Sequence, residues 1–417
     1  MRLQLATAAD PQPDFLELPW HQPLDQWSDD LLVHPPRGVH RHVVVFVRAE
    51  DKLWALKELP RDLVPHEYAM LRRLRALQLP VVRPVGTVTG RGGDLEDVLI
   101  TRHLPYSLPY RLMIGTEAVP RLRDSMIDAL VGLLVRLHLA GFFWGDCSLS
   151  NTLFRRDAGA LSAYLVDAET STFHEQLSDG QRWEELEIAR HNILGGLSDL
   201  EAMGRLPDDL DPIEVIDEIV DRYERLWSEV TRVDVIGPHE RFKIDERLAR
   251  LNELGFDTGE LMLEPSDDGS VLTFAPKVVE EGHHRRLLER LTGINALENQ
   301  ARVLLNDVRS YAAHVNRASA REVPEAVAAY RWLVEVYEPT LEAVPSHLHD
   351  RRQPAELVAE ILDHRAQLAR ERQTDVRLVE AAVDFSANVL EHQRSESDLL
   401  DDDEATDAEP TNDGGTP

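Results

Sequence analysis

The chain has 417 residues, enough for two or three domains, and its 43% hydrophobic and 29% charged content is that of a folded, water-soluble protein. A formal net charge of -30 opposes nucleic-acid and anionic membrane partners. No stretch approaches the roughly 18 consecutive apolar residues of a membrane span, the lone Cys147 leaves no internal disulfide, and Met1 to Pro19 lacks the basic start and apolar run of a secretory signal, so a cytoplasmic location is expected.

Residues 1–37 are rich in Pro, Trp and Asp without a clean period, and irregular structure with one short helix near Leu24 to Val33 is expected there. His42 to Val47 and Leu53 to Leu59 are β-branched or alternating runs, and they read as a hairpin with a five-residue loop at Arg48 to Lys52. Pro65 to Leu77 reads as a helix with an apolar stripe of Met70, Leu74 and Leu77. Val81 to Val88 and Asp97 to Thr101 are two further strands, turning at Gly90 to Gly93. From Val119 to Ala140, Leu122, Met126, Ile127, Leu130, Leu134 and Leu137 recur at helical spacing, and Gly141 is a natural stop. Asn151 to Phe154 and Ala163 to Asp167 are short strands flanking a turn at Arg155 to Leu161, and Asp179 to about Trp227 is helical again. The composition shifts near Val235 to Pro238. A helix (His239 to Leu254), a hairpin (Glu260 to Phe274, turning at Ser266 to Gly269) and helices to about Gln393 follow, then an acidic, disordered tail. The resulting division is 1–37, an irregular segment; 38–105 and 106–235, two lobes; 236–394, a mostly helical domain; and 395–417, the tail.

The candidate chemistry lies in the first half. Of 45 basic side chains only Lys52, Lys57, Lys243 and Lys277 are lysines, so a lysine here is a marked choice of a compact ammonium. In Trp54-Ala55-Leu56-Lys57, Ala55 and Lys57 face the same side of a strand. A small residue leaves room for an adenine ring, and the lysine two positions on reaches the phosphates. Glu67 on the next helix is placed to pair with Lys57, although a lone helix glutamate is more often an exposed one. In Trp144-Gly145-Asp146-Cys147-Ser148-Leu149-Ser150-Asn151 a loop after a long apolar helix presents Asp146 to a hydroxyl, and Asn151 turns its amide oxygen back to a metal. The strand Tyr164-Leu165-Val166 then delivers Asp167, a hard oxygen ligand for magnesium. Any one such aspartate is commonly a turn or helix cap; the whole set in this order points to phosphoryl transfer.

From about residue 38 to 235 the chain resembles the protein-kinase-like superfamily, in particular the bacterial branch of lipopolysaccharide (Kdo) kinases and aminoglycoside phosphotransferases. Trp54 to Lys57 resembles the Val-Ala-Ile-Lys strand, Asp146 to Asn151 is similar to the catalytic loop, and Leu165-Val166-Asp167 to the magnesium-binding strand end. Leu99 to Pro105 looks like the hinge, where backbone groups at Arg102 and Leu104 meet the adenine. The resemblance implies an α+β, two-lobed kinase-like fold, ATP and Mg2+ as cofactors, Asp146 as catalytic base, and a hydroxyl acceptor. The departures are a missing Gly-rich loop (Gly38 stands alone among Arg37, His40, Arg41 and His42), Trp144 where the family has a histidine, Ala168-Glu169 after Asp167, and no Ala-Pro-Glu motif. They favour a small-molecule, sugar or lipid head-group acceptor over a protein, and they leave open a pseudokinase scaffold or nucleotide-sensing binding module.

The region holding Gly282-His283-His284 and Leu291 to Arg302 looks like a bacterial domain of unknown function found behind such kinase-like domains. A helix from Asn295 to His314 places Asn299, Arg302, Asn306 and Arg309 on one face, either a substrate or protein-partner site or a solvated face. His239 to Phe274 has the order of a winged helix, but the acidic balance argues against nucleic acid.

Overall fold

The computed structural model describes residues 1–5, 15–33, 42–49, 52–114, 120–207, 210–232, 234–236, 261–265, 272–276, 282–318 and 323–392. The expected helix at 239–254, the turn at 266–269, Gly38 with its basic neighbours up to Arg41, and the acidic tail lie outside them. The chain is α+β, strand-rich towards its N-terminus and helical towards its C-terminus. It divides into two units, one of Met1–Val33, Val39–Arg156 and Ala160–His283, the other of His34–Gly38, Asp157–Gly159 and His284–Pro417.

The first unit opens with a six-stranded antiparallel sheet of β1 (Arg2–Leu5), β2 (Leu32–Val33), β3 (Val44–Ala49), β4 (Lys52–Leu59), β5 (Arg83–Thr89) and β6 (Asp97–Arg102), in the order β1-β5-β6-β4-β3-β2. Helix α1 (Leu63–Ala76) packs on β5. Along β4, Trp54, Leu56 and Glu58 are buried, while Ala55 and Lys57 share the opposite face, as the two-residue strand period requires. The β3–β4 connection is shorter than expected. Ala49 pairs with Lys52, so Arg48, Ala49 and Lys52 continue the strands and only residues 50 and 51 lie between them.

Two expectations for the N-terminal segment are corrected. Arg2–Leu5 adds a strand beside β5, and Leu24 to Val33 forms two single 3-10 turns and β2 rather than one helix. Phe15, Trp20, Leu24 and Trp27 enter the core beneath the sheet with Val45, Val47, Trp54, Leu56, Val85, Val88, Val98 and Ile100. A buried ion pair fixes this arrangement: Arg91 Nη1 lies 2.6 Å from Glu58 Oε1, and Arg91 Nε donates to the Trp20 carbonyl at 2.8 Å. Leu24 N also donates to Glu58 Oε1, at 3.1 Å. Aromatic burial plus a satisfied buried charge pair thus orders a segment with no helical or strand period. On α1 the buried stripe is Val64, Glu67, Tyr68, Leu71 and Leu74; Leu77, expected in the stripe, is 44% exposed.

The rest of this unit is helical around short strands. It comprises β7 (Ser107–Pro109), α2 (Tyr110–Ile114), α3 (Pro120–Leu139), β8 (Phe142–Phe143), β9 (Thr152–Asp157), β10 (Ala160–Leu165), β11 (Thr172–Phe173), α4 (Asp179–Ala202) and α5 (Pro212–Thr231). Helix α3 buries Met126, Ile127, Leu130, Leu134 and Leu137 and packs against β10 and α5. Gly141, at φ +74°, ends it. The turn between β9 and β10 is only Ala158 and Gly159, because Arg155 to Asp157 and Ala160 to Leu161 extend the two strands. Ser178 caps α4 with a reciprocal Gln181 bond, and Pro212 opens α5. β12 (Asp234–Ile236), β13 (Leu261–Pro265) and β14 (Leu272–Pro276) form a three-stranded antiparallel sheet, with β13 and β14 as the expected hairpin strands.

The second unit is helical over its described residues: α6 (His283–Thr292), α7 (Glu298–Ala318), α8 (Glu325–Trp332), a π turn (Leu333–Tyr337), α9 (Glu338–Glu342), α10 (Pro354–Arg372) and α11 (Leu378–Asn388). Its cores centre on Trp332 with Leu304, Leu305 and Val358, and on Phe385 with Leu348, Leu357 and Ile361. The helix expected from Asn295 begins at Glu298, whose carboxylate accepts from His284 Nδ1 at 2.9 Å and His284 N at 3.0 Å. Arg302, Asn306 and Arg309 are exposed, while Asn299 is half-buried. Within this unit Asp157 Oδ1 accepts from Gln300 N at 2.9 Å, and Glu356 Oε2 accepts from Ala158 N at 2.7 Å and Gln300 Nε2 at 2.8 Å.

Candidate active site

Lys57 is the centre of the site. Its ammonium lies 2.5 Å from Asp167 Oδ2, 3.1 Å from Glu67 Oε2 and 3.7 Å from Glu169 Oε2. Strand β4 supplies the lysine, α1 the glutamate, and the segment after β10 both remaining carboxylates. Ligand oxygens of Glu67, Asp167 and Glu169 all lie within 4.8 Å of one another. Burial disfavours the ammonium, but the three carboxylates outweigh it and hold the Lys57 pKa above its ordinary value. Burial, with the Asp167 charge beside it, pushes the Glu67 carboxyl up to about 7, against the pull of Lys57. Glu67 is 0% exposed, so this glutamate is no surface residue. Its Oε1 also accepts from Ala168 N at 3.4 Å.

Backbone bonds fix Asp167. Leu165 N donates to the Pro80 carbonyl and Val82 N to the Leu165 carbonyl, each at 3.0 Å, so the end of β10 is tied to the chain entering β5. Val166 N donates to the Asn151 carbonyl at 3.0 Å, which sets Asn151 beside the same strand end. Trp144 Nε1 donates to the Asp167 carbonyl at 2.7 Å, so the indole that departs from the kinase pattern holds the backbone at this aspartate. Glu169 N donates to Asp167 Oδ1 at 3.0 Å, and Glu169 Oε2 meets His42 Nε2 at 3.0 Å.

Asp146 and Asn151 form a second pair. Asn151 Nδ2 donates to Asp146 Oδ2 at 3.0 Å and to the Asp146 carbonyl at 3.1 Å, which leaves its amide oxygen as an acceptor. Gly145 sits at φ +79°, and a Cβ there would lie 3.0 Å from the Thr170 carbonyl, so the turn into Asp146 requires glycine. Thr170 Oγ1 in turn donates to the Trp144 carbonyl at 3.0 Å.

The sequence reading passed over two residues on α4. Glu185, buried, accepts from Trp144 N at 2.6 Å and from Gly145 N at 3.1 Å. Burial, reinforced by Asp146, pushes its carboxyl up to about 7 against those N–H bonds. Asn192 Nδ2 donates to Asp146 Oδ1 at 2.9 Å and to the Cys147 carbonyl at 3.2 Å. The two lie seven residues apart, two turns on one helix face. The available signal was a glutamate amid the apolar positions Leu186, Ala189 and Ile193. Glu169, a departure from the kinase pattern, has its carboxylate among the lysine's partners.

Of the expected adenine-side residues, Ala55 pairs with Thr101 and Trp54 with Arg102 across β4 and β6. Leu104 lies two residues beyond β6, and its carbonyl accepts from Ser107 Oγ at 2.8 Å. His103 N donates to the Leu53 carbonyl at 3.0 Å, tying the segment to β4. The structure therefore gathers Lys57, Glu67 and Asp167 in direct contact and Asp146 with Asn151 in a second pair. It sets Ala55 inside β4 beside Thr101, Arg102 at the end of β6 and Leu104 two residues beyond.

Residues 48–192 match the lipopolysaccharide kinase (Kdo/WaaP) family, and residues 225–390 match a domain of unknown function, DUF4032. No curated protein matches the chain. The solved structure of WaaP in complex with acyl carrier protein is similar over 48% of this chain and 90% of that chain, at 17% identity and a TM-score of 0.32, too distant a likeness to bear on fold or activity. The chain is thus similar to the lipopolysaccharide kinase (Kdo/WaaP) family over residues 48–192 and to the DUF4032 family over residues 225–390.

Proposed function

We propose that the first unit is an ATP-dependent phosphotransferase moving the γ-phosphoryl group to a hydroxyl of a small molecule or of a sugar or lipid head group. The observation that carries this reading is the Lys57 ammonium held at once by Glu67 and Asp167, in a segment of a kinase family. In the reaction the bond from the γ-phosphorus to the ADP oxygen breaks and a bond from that phosphorus to the acceptor oxygen forms. Asp146 receives the acceptor's proton. Lys57 neutralises the nucleotide phosphates, and Glu67 keeps the ammonium in place. Ala55 leaves space for the adenine, with backbone groups at Arg102 and Leu104 along its edge.

The hard oxygen donors of Asp167 and Asn151 suit magnesium, with Glu169 close by. When bound, magnesium would supply positive charge against the negative charge that develops on the phosphates. The DUF4032 domain is the proposed place for a protein partner, and the cytoplasm the proposed location. Among the described residues no helix is long and apolar enough to cross a membrane.

A second reading, a nucleotide-binding pseudokinase, draws on the single glycine, Gly38, in the place of a Gly-rich loop. Hydrolysis of γ-labelled ATP in magnesium, with water as acceptor, separates the two. Asp146→Ala is expected to lower turnover by roughly 100-fold or more with nucleotide affinity kept. Nucleotide binding without any turnover in the parent would favour the pseudokinase.

A further inference from the structure

We infer that Asn192 is a positioning residue for Asp146: it holds the carboxylate in the plane from which that group takes the acceptor's proton. The inference rests on the reading of Asp146 as proton acceptor and adds a residue that lies 46 positions away in sequence.

An aspartate's terminal torsion is broad and roughly two-fold, so a carboxylate held through one oxygen can still rotate. Here each oxygen of Asp146 receives its own amide N–H. Asn151 donates to Oδ2 at 3.0 Å from the start of β9, and Asn192 donates to Oδ1 at 2.9 Å from α4. Two donors from two separate elements fix the plane, where one would leave a hinge.

The second proton on the same Asn192 nitrogen goes to the Cys147 carbonyl at 3.2 Å. One amide therefore ties the carboxylate to the backbone of its own loop, so the two cannot move independently. Glu185, two turns earlier on α4, holds the backbone of Trp144 and Gly145 from the same side. Helix α4 thus secures the loop backbone with one residue and the carboxylate with another. A rigid helix is a better platform for such alignment than the loop itself. Proton transfer requires hydrogen-bond reach and a correctly aimed lone pair, and a misplacement of about 1 Å can lower turnover about 100-fold.

The test is Asn192→Ala in magnesium-dependent ATP hydrolysis, with nucleotide-binding stoichiometry measured on the same preparation. Turnover (kcat) is expected to fall about 10- to 100-fold, while KM for ATP stays within about two-fold and the stoichiometry stays that of the parent. A merely structural role would instead reduce the fraction of chains that bind nucleotide. Asn192→Asp, equal in size but with a carboxylate facing Asp146, is expected to lose more than Asn192→Ala. If Asn192→Ala folds poorly, Asn192→Ser, whose hydroxyl is too short to reach Asp146, carries the same comparison. Parental turnover in a fully nucleotide-binding variant would overturn the inference, as would a raised KM with kcat unchanged. No hydrolysis by the parent would instead defeat the phosphotransferase reading beneath it.

Discussion

One ammonium, from Lys57, faces the carboxylates of Glu67, Asp167 and Glu169, and that surplus of negative charge defines the site at the residue scale. Lys57 balances part of it, and a bound divalent cation would offset more. Glycine also acts at this scale. Gly141 sits at φ +74°, its carbonyl accepts from His174 N at 2.7 Å, and a Cβ would lie 2.3 Å from the His174 carbonyl oxygen. Gly141→Ala adds a left-handed penalty of about 1–2 kcal/mol to a clash with backbone that has no side-chain freedom to yield. A loss of at least about 2 kcal/mol is expected, seen as a fall in Tm of roughly 4–8 °C. An unchanged Tm would show that the turn relaxes without loss. Lys57, Glu67, Asp146, Asn151 and Asp167 are legible in sequence as candidates, because they stand in the chain order that the proposed phosphoryl transfer demands. That Glu67 is buried was not legible, since a helix period cannot distinguish a paired acid from a solvated one.

The elements were read best where their period was longest. Helix α3 follows its apolar repeat, and β4 puts Ala55 and Lys57 on one face, as alternation requires. Short or polar elements escaped. β1 has four residues, and its partner β5 lies some eighty residues on, so nothing local marks it as a strand. The Leu24 to Val33 stretch is ordered by burial of Trp20 and Trp27 and by Arg91 from a distant turn, forces that leave no period. Helix α4 was read as a helix, but not as the element that carries Glu185 and Asn192 to the Asp146 loop. Periodicity assigns polar residues to solvent by default, and these two turn inward to meet polar groups of a loop.

At the scale of the whole chain, a segment similar to the Kdo/WaaP kinase family precedes one similar to DUF4032, and the second unit holds a buried acid of its own. Burial first, then Glu360 and Asp157, push the Glu356 carboxyl from an ordinary 4.5 up to about 7, against hydrogen bonds from Ala158 N and Gln300. The folded chain therefore binds this proton more tightly than the unfolded chain does. Its contribution to stability is fully present below pH about 4.5 and is lost as pH rises through about 7. Glu356→Gln keeps an oxygen for both donors and removes the titration. Relative to the parent, the variant should gain on the order of 2–3 kcal/mol in stability between pH 4.5 and 8, followed by thermal unfolding across that range. A parent-minus-variant difference flat in pH would contradict this. At this scale the net charge of -30 weighs against nucleic-acid and anionic membrane partners, and composition names no acceptor, because that specificity lies in groups with no fixed sequence signature.

We propose a magnesium-dependent nucleotide site built on Lys57, Glu67 and Asp167. Its most direct test is the melting temperature of the purified chain with ATP, with and without magnesium, for the parent and Asp167→Ala. Near-saturating nucleotide, about 100-fold above its Kd, adds about 2.7 kcal/mol and should raise the parent's Tm by roughly 5–10 °C only when magnesium is present, with the rise lost in Asp167→Ala. A parent with no magnesium-dependent rise, or a rise that survives in Asp167→Ala, would contradict the account.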